Sequence, residues 1–66
     1  MNMEKPVEEG KEYEIIIDAT GRKGDGIAHL QGFVIIVPGA KIGEKLMVKV
    51  NSIKQTFCTA EIIKKI

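Results

Sequence analysis

The 66-residue chain holds one cysteine, one histidine and no tryptophan. A lone Cys58 excludes a disulfide framework within the chain, and one Cys with one His supplies no zinc-ligand set. Cys58 is expected to be a small buried apolar side chain, and an intracellular, reducing setting is the simplest inference. Aromatic residues are scarce, being only Tyr13, Phe33 and Phe57. No apolar stretch reaches the roughly 18–20 residues that a membrane-spanning helix needs. The first ten residues carry Glu4, Glu8 and Glu9 and lack the apolar core of a signal peptide. The expected location is therefore the cytoplasm, with no membrane partner.

Enzyme signals are also missing. His29 has only scattered acids around it and no serine or cysteine in a triad-like motif. Gly21–Gly26 reads Gly-x-x-Gly-x-Gly, but it precedes an apolar strand pattern. Dinucleotide and phosphate-loop fingerprints require a helix whose N-terminus meets the phosphate. Neither fits. No enzyme activity, metal or cofactor is expected.

Net charge is only +1, which is little for a nucleic-acid binder, but its distribution is uneven. Residues 1–14 hold five Glu against Lys5 and Lys11, a net of −3. Residues 15–66 hold eight Lys or Arg against Asp18, Asp25, Glu44 and Glu61, a net of +4. A basic body behind an acidic entry segment permits a polyanion site of modest strength.

What the chain does have is glycine, and six of its seven fall between Gly21 and Gly43. They punctuate two apolar runs, Ile27–Leu30 and Phe33–Val37, separated only by Gln31-Gly32. That spacing predicts a hairpin, because a tight turn matched to twisted strands needs positive φ. An in-register hairpin sets Leu30 opposite Phe33 and His29 opposite Val34, with His29 marking the outer face. Neither face of Phe33–Val37 is polar. The strand is either buried on both sides or offers an apolar surface to a partner. Before the hairpin, a glycine-bracketed loop carries Arg22 and Lys23.

Elsewhere the pattern alternates. Residues 1–10 have no period and are expected to form a partly ordered arm, leaving 11–66 as a single domain. In Glu12–Thr20, Tyr13, Ile15, Ile17 and Ala19 share a face, as strand period two requires. Ile16 falls on the polar face and is expected to sit in a groove or meet a neighbour. In Glu44–Ile53, Leu46, Val48 and Val50 point inward, whereas Lys45, Met47, Lys49 and Asn51 point outward. Ile53 has the wrong parity, which predicts a bulge or strand end near Asn51-Ser52. Lys54-Gln55 makes a second tight connection. Thr56–Lys64 then sets Cys58, Ala60 and Ile62 inside and Phe57 outside. Five short strands in so small a chain predict an all-β fold, a closed or nearly closed antiparallel barrel.

The remaining chemistry is a set of cations with two candidate aromatics. Arg22, Lys23, His29, Lys41, Lys45, Lys49 and Lys54 could follow a phosphate backbone, while Phe33 and Phe57 could lie under bases. Each lysine could equally be a solvated strand position that blunts aggregation. Phe33 could equally be core.

The run Gly24-Asp-Gly-Ile-Ala-His-Leu-Gln-Gly-Phe-Val-Ile-Ile-Val-Pro-Gly-Ala-Lys-Ile-Gly-Glu-Lys-Leu46 resembles the TRAM domain. The likeness extends from about Tyr13 to Ile63. It implies an OB-like five-stranded barrel that binds RNA, often as an appendage of tRNA-modifying enzymes. Stand-alone versions of this length, typical of archaea, are regarded as RNA-chaperone-like. The resemblance makes Gly26, Pro38, Gly39 and Gly43 turn positions. Arg22 and Lys23 become phosphate contacts in the variable loop, and Phe33 the leading stacking residue. His29 stands where many members have Arg, and Ile36 where an aromatic is common. The expected function is weakly sequence-selective RNA binding by a monomer, with RNA, including tRNA, as partner. Two alternatives remain. The apolar hairpin face, with Val34, Ile36 and Met47, could dock a protein. The chain could also deliver RNA to a modification enzyme in trans.

Overall fold

The computed structural model describes residues 7–66, and expectations for residues 1–6 of the arm lie outside them. Six strands form one sheet: β1 (Glu12–Ile16), β2 (Ala19–Thr20), β3 (Gly26–Leu30), β4 (Phe33–Val37), β5 (Lys45–Ile53) and β6 (Phe57–Lys65). The spatial order is β1-β5-β6-β4-β3-β2. The first and last members of that order are consecutive in the chain. β1 pairs with β5, and after Ile17-Asp18 the same run crosses over and pairs with β3 as β2. The bend is pinned from both sides: the Ile17 N–H donates to the Glu44 carbonyl at 2.9 Å and the Asp18 N–H to the Ile27 carbonyl at 2.9 Å. One bent strand thereby ties the two edges of the sheet together. The result is a curled, OB-like barrel whose five strands are counted as six because the first is bent.

The hairpin forms in the expected register, with Leu30 opposite Phe33 and His29 opposite Val34. Its turn carries positive φ at both central residues, 52° at Gln31 and 81° at Gly32. That is the type I′ geometry whose twist suits the strands. One expectation is corrected. The sheet is mixed rather than antiparallel, because β4 and β6 run parallel, with Val34 beside Phe57 and Ile36 beside Thr59. The chain leaves β4, returns along β5 and turns again into β6, so β6 repeats the direction of β4.

Alternation places the core. Leu46, Val48 and Val50 of β5 are buried with Cys58 and Ala60 of β6, Ile35 and Val37 of β4, and Ile15 and Ile17. Each fully buried aliphatic side chain of this kind contributes about 1.5–3 kcal/mol. The register of β5 with β6 shifts between Val50 and Ser52, a bulge that leaves Asn51 unmatched. Ile53 then falls opposite Cys58 and packs on the core. A second shift opposite Met47 and Val48 leaves Ile63 unmatched, and it is exposed. Alternation also lapses at the bend. Ala19 pairs with Ile27 and so leaves the face it would share with Ile17.

Gly26 is required by packing, since a Cβ there would meet the Ala40 Cβ at 2.5 Å. The described part of the arm is docked rather than loose. Val7 is 2% exposed within the core, the Gly10 N–H donates to the Val50 carbonyl at 2.8 Å, and the Glu8 N–H donates to the Tyr13 hydroxyl at 2.8 Å. Val7 is an isolated apolar residue, and no period marks it in the sequence. No helix among the described residues is long and apolar enough to cross a membrane.

Candidate nucleic-acid interface

On β4 the odd residues Phe33, Ile35 and Val37 are buried, at 7%, 0% and 0% exposure, whereas Val34 and Ile36 are half-buried. The strand therefore serves the core with one face and presents an apolar surface with the other. Register extends that surface to both neighbours. His29, Val34 and Phe57 form one row across β3, β4 and β6, and Ile27, Ile36 and Thr59 form the next. His29 is exposed, and the other five are half-buried. Because adjacent strands lie ~4.8 Å apart, each row is about 10 Å long. That is a mostly apolar platform on the outside of the curled sheet, with one aromatic residue, Phe57, at one corner.

Two loops flank the platform. At the Gly26 end, Gly21–Asp25 closes on itself: the Gly21 N–H donates to the Asp25 carbonyl at 2.8 Å and the Gly24 N–H to the Gly21 carbonyl at 3.1 Å. Arg22 and Lys23 are exposed at its tip. Ala40 packs on Gly26, which brings exposed Lys41 to the same end. At the Phe57 end, the Lys54 N–H donates to the Phe57 carbonyl at 2.7 Å and the Val34 N–H to the Thr56 carbonyl at 3.4 Å. Ile53, Lys54, Gln55, Thr56 and Phe57 there line an open hollow of about 570 Å³.

The residues expected at the site thus separate. Arg22, Lys23, Lys41, Lys54, His29 and Phe57 lie on or beside the platform. Phe33 does not; it is 7% exposed and belongs to the core cluster, so the expectation that it stacks on bases is corrected. The in-register hairpin that joins Phe33 to Leu30 turns its side chain inward with Ile35. Lys45 and Lys49 stand on β5, whose sheet neighbours are β1 and β6 rather than β3 or β4. The Lys45 Nζ lies 2.9 Å from the Glu14 Oε2, and Lys49 stands in register between Glu12 and Glu61. Ile27 and Thr59 are platform residues that the sequence did not single out. Thr59 shares the parity of Phe57, but only the parallel β4–β6 pairing sets both beside the hairpin.

The ionisable groups are modestly arranged. His29 Nδ1 lies 3.0 and 3.1 Å from the two carboxylate oxygens of Asp18, with each side chain about half exposed. Glu44 accepts from the Lys41 N–H at 2.8 Å and pairs with the Lys65 Nζ at 2.9 Å. The Lys65 contact first, then the Lys41 amide, holds its carboxyl below the ordinary value of 4.5. Burial pushes the Cys58 thiol up, which keeps it protonated and unreactive at neutral pH. No three of His, Cys, Asp or Glu gather to hold a metal among the described residues.

A small OB-like barrel with a platform and two flanking loops is the class that the geometry defines. The TRAM domain model matches residues 6–63, and the chain belongs to that family, generally one of RNA-binding modules. It is 47% identical over 56 residues to an uncharacterized protein of Methanocaldococcus jannaschii, covering 85% of this chain and 73% of that one. A conserved protein of Methanococcus maripaludis, solved in solution, superposes with a TM-score of 0.87 at 48% identity, over 92% of this chain and 87% of that one. A ribosomal RNA large subunit methyltransferase E of Methanothrix thermoacetophila is 44% identical over 61 residues, 92% of this chain but 24% of the methyltransferase. A translation initiation factor 2 subunit beta of Thermoplasma volcanium is 45% identical over 60 residues, 91% of this chain and 29% of the factor. The chain thus spans about a quarter of the length of the larger relatives.

Proposed function

We infer that the protein binds single-stranded RNA, without catalysing a reaction, across the outer face of β3, β4 and β6. The observation that carries this reading is the Phe57–Val34–His29 row set between two exposed cationic loops. In OB barrels the second and third strands, with the loops after the first and fourth, are the usual oligonucleotide surface. Those elements are β3, β4, residues 21–25 and residues 54–56 here. A base on Phe57 gains about 1–3 kcal/mol, and Arg22, Lys23, Lys41 and Lys54 neutralise phosphates on either side. With one stacking ring and few cations, binding is moderate, fast and weakly selective. Such contacts hold a strand unpaired without trapping it, which is the basis for an RNA-chaperone role in the cytoplasm.

The test is titration of unstructured RNA oligomers by fluorescence anisotropy over a range of salt. Replacing Arg22 and Lys23 with Ala should weaken all sequences alike. The salt slope should fall by up to about 1.4, since each single-strand phosphate contact contributes ~0.7. Unaltered affinity and slope at low salt would remove the loop from the site. A second role, delivering RNA to a separate enzyme or factor, draws support from relatives in which this domain is a quarter of a methyltransferase or an initiation-factor subunit.

A further inference from the structure

The bend between β1 and β2 sets a carboxylate against the ring of His29. The Asp18 N–H donates to the Ile27 carbonyl at 2.9 Å, which fixes the Asp18 backbone beside β3. Both of its carboxylate oxygens then lie on His29 Nδ1, at 3.0 and 3.1 Å, with each side chain about half exposed. An ionised carboxylate is an acceptor only, so Nδ1 carries the proton between them. In a neutral imidazole the other nitrogen is then an acceptor. Nε2 makes no hydrogen bond among the described residues. The ring is exposed on the platform, in one row with Val34 and Phe57.

We propose that His29 reads the ribose 2′-hydroxyl through Nε2, with Asp18 as its positioning residue, so that the platform tells RNA from DNA. The proposal rests on the RNA-binding reading and deepens it. Arg22, Lys23, Lys41 and Lys54 are donors suited to phosphate oxygens, which deoxyribose strands carry equally. Stacking on Phe57 is indifferent to the sugar as well. The Thr59 hydroxyl can donate or accept, so it prefers neither sugar nor phosphate. A fixed acceptor is different. Phosphate oxygens offer it no proton, and the Asp18 carboxylate beside it repels them further. Base donors sit on the pairing edges and differ from base to base. The 2′-hydroxyl is the donor that every ribonucleotide carries in the same place, and deoxyribonucleotides lack it. An acceptor on a weakly selective surface therefore matches the sugar. His29 stands about 10 Å from Phe57 along the row, two strand spacings, with apolar Val34 between them. A strand whose base lies on Phe57 can thus bring a ribose to the imidazole.

The test measures, in mildly alkaline buffer, the binding of oligouridine built with ribose, 2′-fluororibose or deoxyribose. The fluoro sugar keeps the ribose pucker and loses the donor. Ribose should bind about threefold to tenfold tighter than either, as one net hydrogen bond allows. Oligoadenosine should show the same gap. His29→Ala should close it with the rest of the amide spectrum in place. Asp18→Asn, whose amide can face Nδ1 as donor or acceptor, should narrow it. Imidazole nitrogen NMR in the same buffer supplies a signature that a purely structural role would not move. The ring should be the Nδ1–H tautomer in the unaltered protein and a mixture of tautomers in Asp18→Asn. An Nε2–H ring in the unaltered protein, or equal affinity for ribose and fluororibose, would overturn the proposal and leave the RNA reading standing. So would a gap confined to one base, or one that survives either substitution. Absence of binding to every oligomer would overturn both.

Discussion

Phe33 and Phe57 each open a strand after a tight turn, yet one is 7% exposed and the other is half-buried on the platform. Phe33→Ala should cost about 3–5 kcal/mol of stability, a large share for a domain of this size. Thermal denaturation would show it as a steep fall in Tm. Phe57→Ala should leave melting nearly intact and remove about 1–3 kcal/mol of RNA binding, read by anisotropy. The reverse pattern would mean that the platform is misassigned. The hairpin register in the sequence already turned Phe33 inward with Leu30. The family pattern drew it toward RNA, because a strand's first residue can sit at the rim with its ring open. Closure of the barrel decides the matter, and closure is not a local property.

At the scale of single elements, the β3–β4 turn carries Gln31 at φ 52°, a left-handed position that Asn adopts more readily than Gln. Gln31→Asn should raise stability by several tenths of a kcal/mol, visible as a higher denaturant midpoint with unchanged slope. The β4–β5 connection depends on Glu44, whose carboxyl is held below its ordinary value by Lys65 and the Lys41 amide. A carboxylate with a lowered folded pKa contributes in full above its unfolded value and loses that contribution as pH falls through the folded one. Glu44→Gln should therefore destabilise at neutral pH, and the difference should fade as pH drops below 4.5. A difference independent of pH would assign the effect to packing. Hairpin, bulge and inward faces were legible because each is written in a period of two and in turn residues. The parallel pairing of β4 with β6 and the Asp18–His29 contact were not. They depend on which distant strands become neighbours, and neither Thr59 nor Asp18 has a pattern that announces it.

For the molecule as a whole, a net charge of +1 gives no broad attraction to a polyanion, so RNA binding must come from where the charges lie. On β5, Lys45 and Lys49 are offset by Glu14, Glu12 and Glu61. Arg22, Lys23, Lys41 and Lys54 stand at the two ends of an apolar platform. On the proposed reading, the single strand therefore lies on the β3–β4–β6 side of the barrel and not on the β1–β5 side. Amide chemical-shift mapping with an unstructured RNA oligomer tests this most directly. Shifts should concentrate in residues 21–25, in residues 54–57, and at Ile27, His29, Val34, Ile36 and Thr59. Met47 and Lys49 should stay still. Shifts centred on β1 and β5, with the β3–β4 face unmoved, would contradict the account.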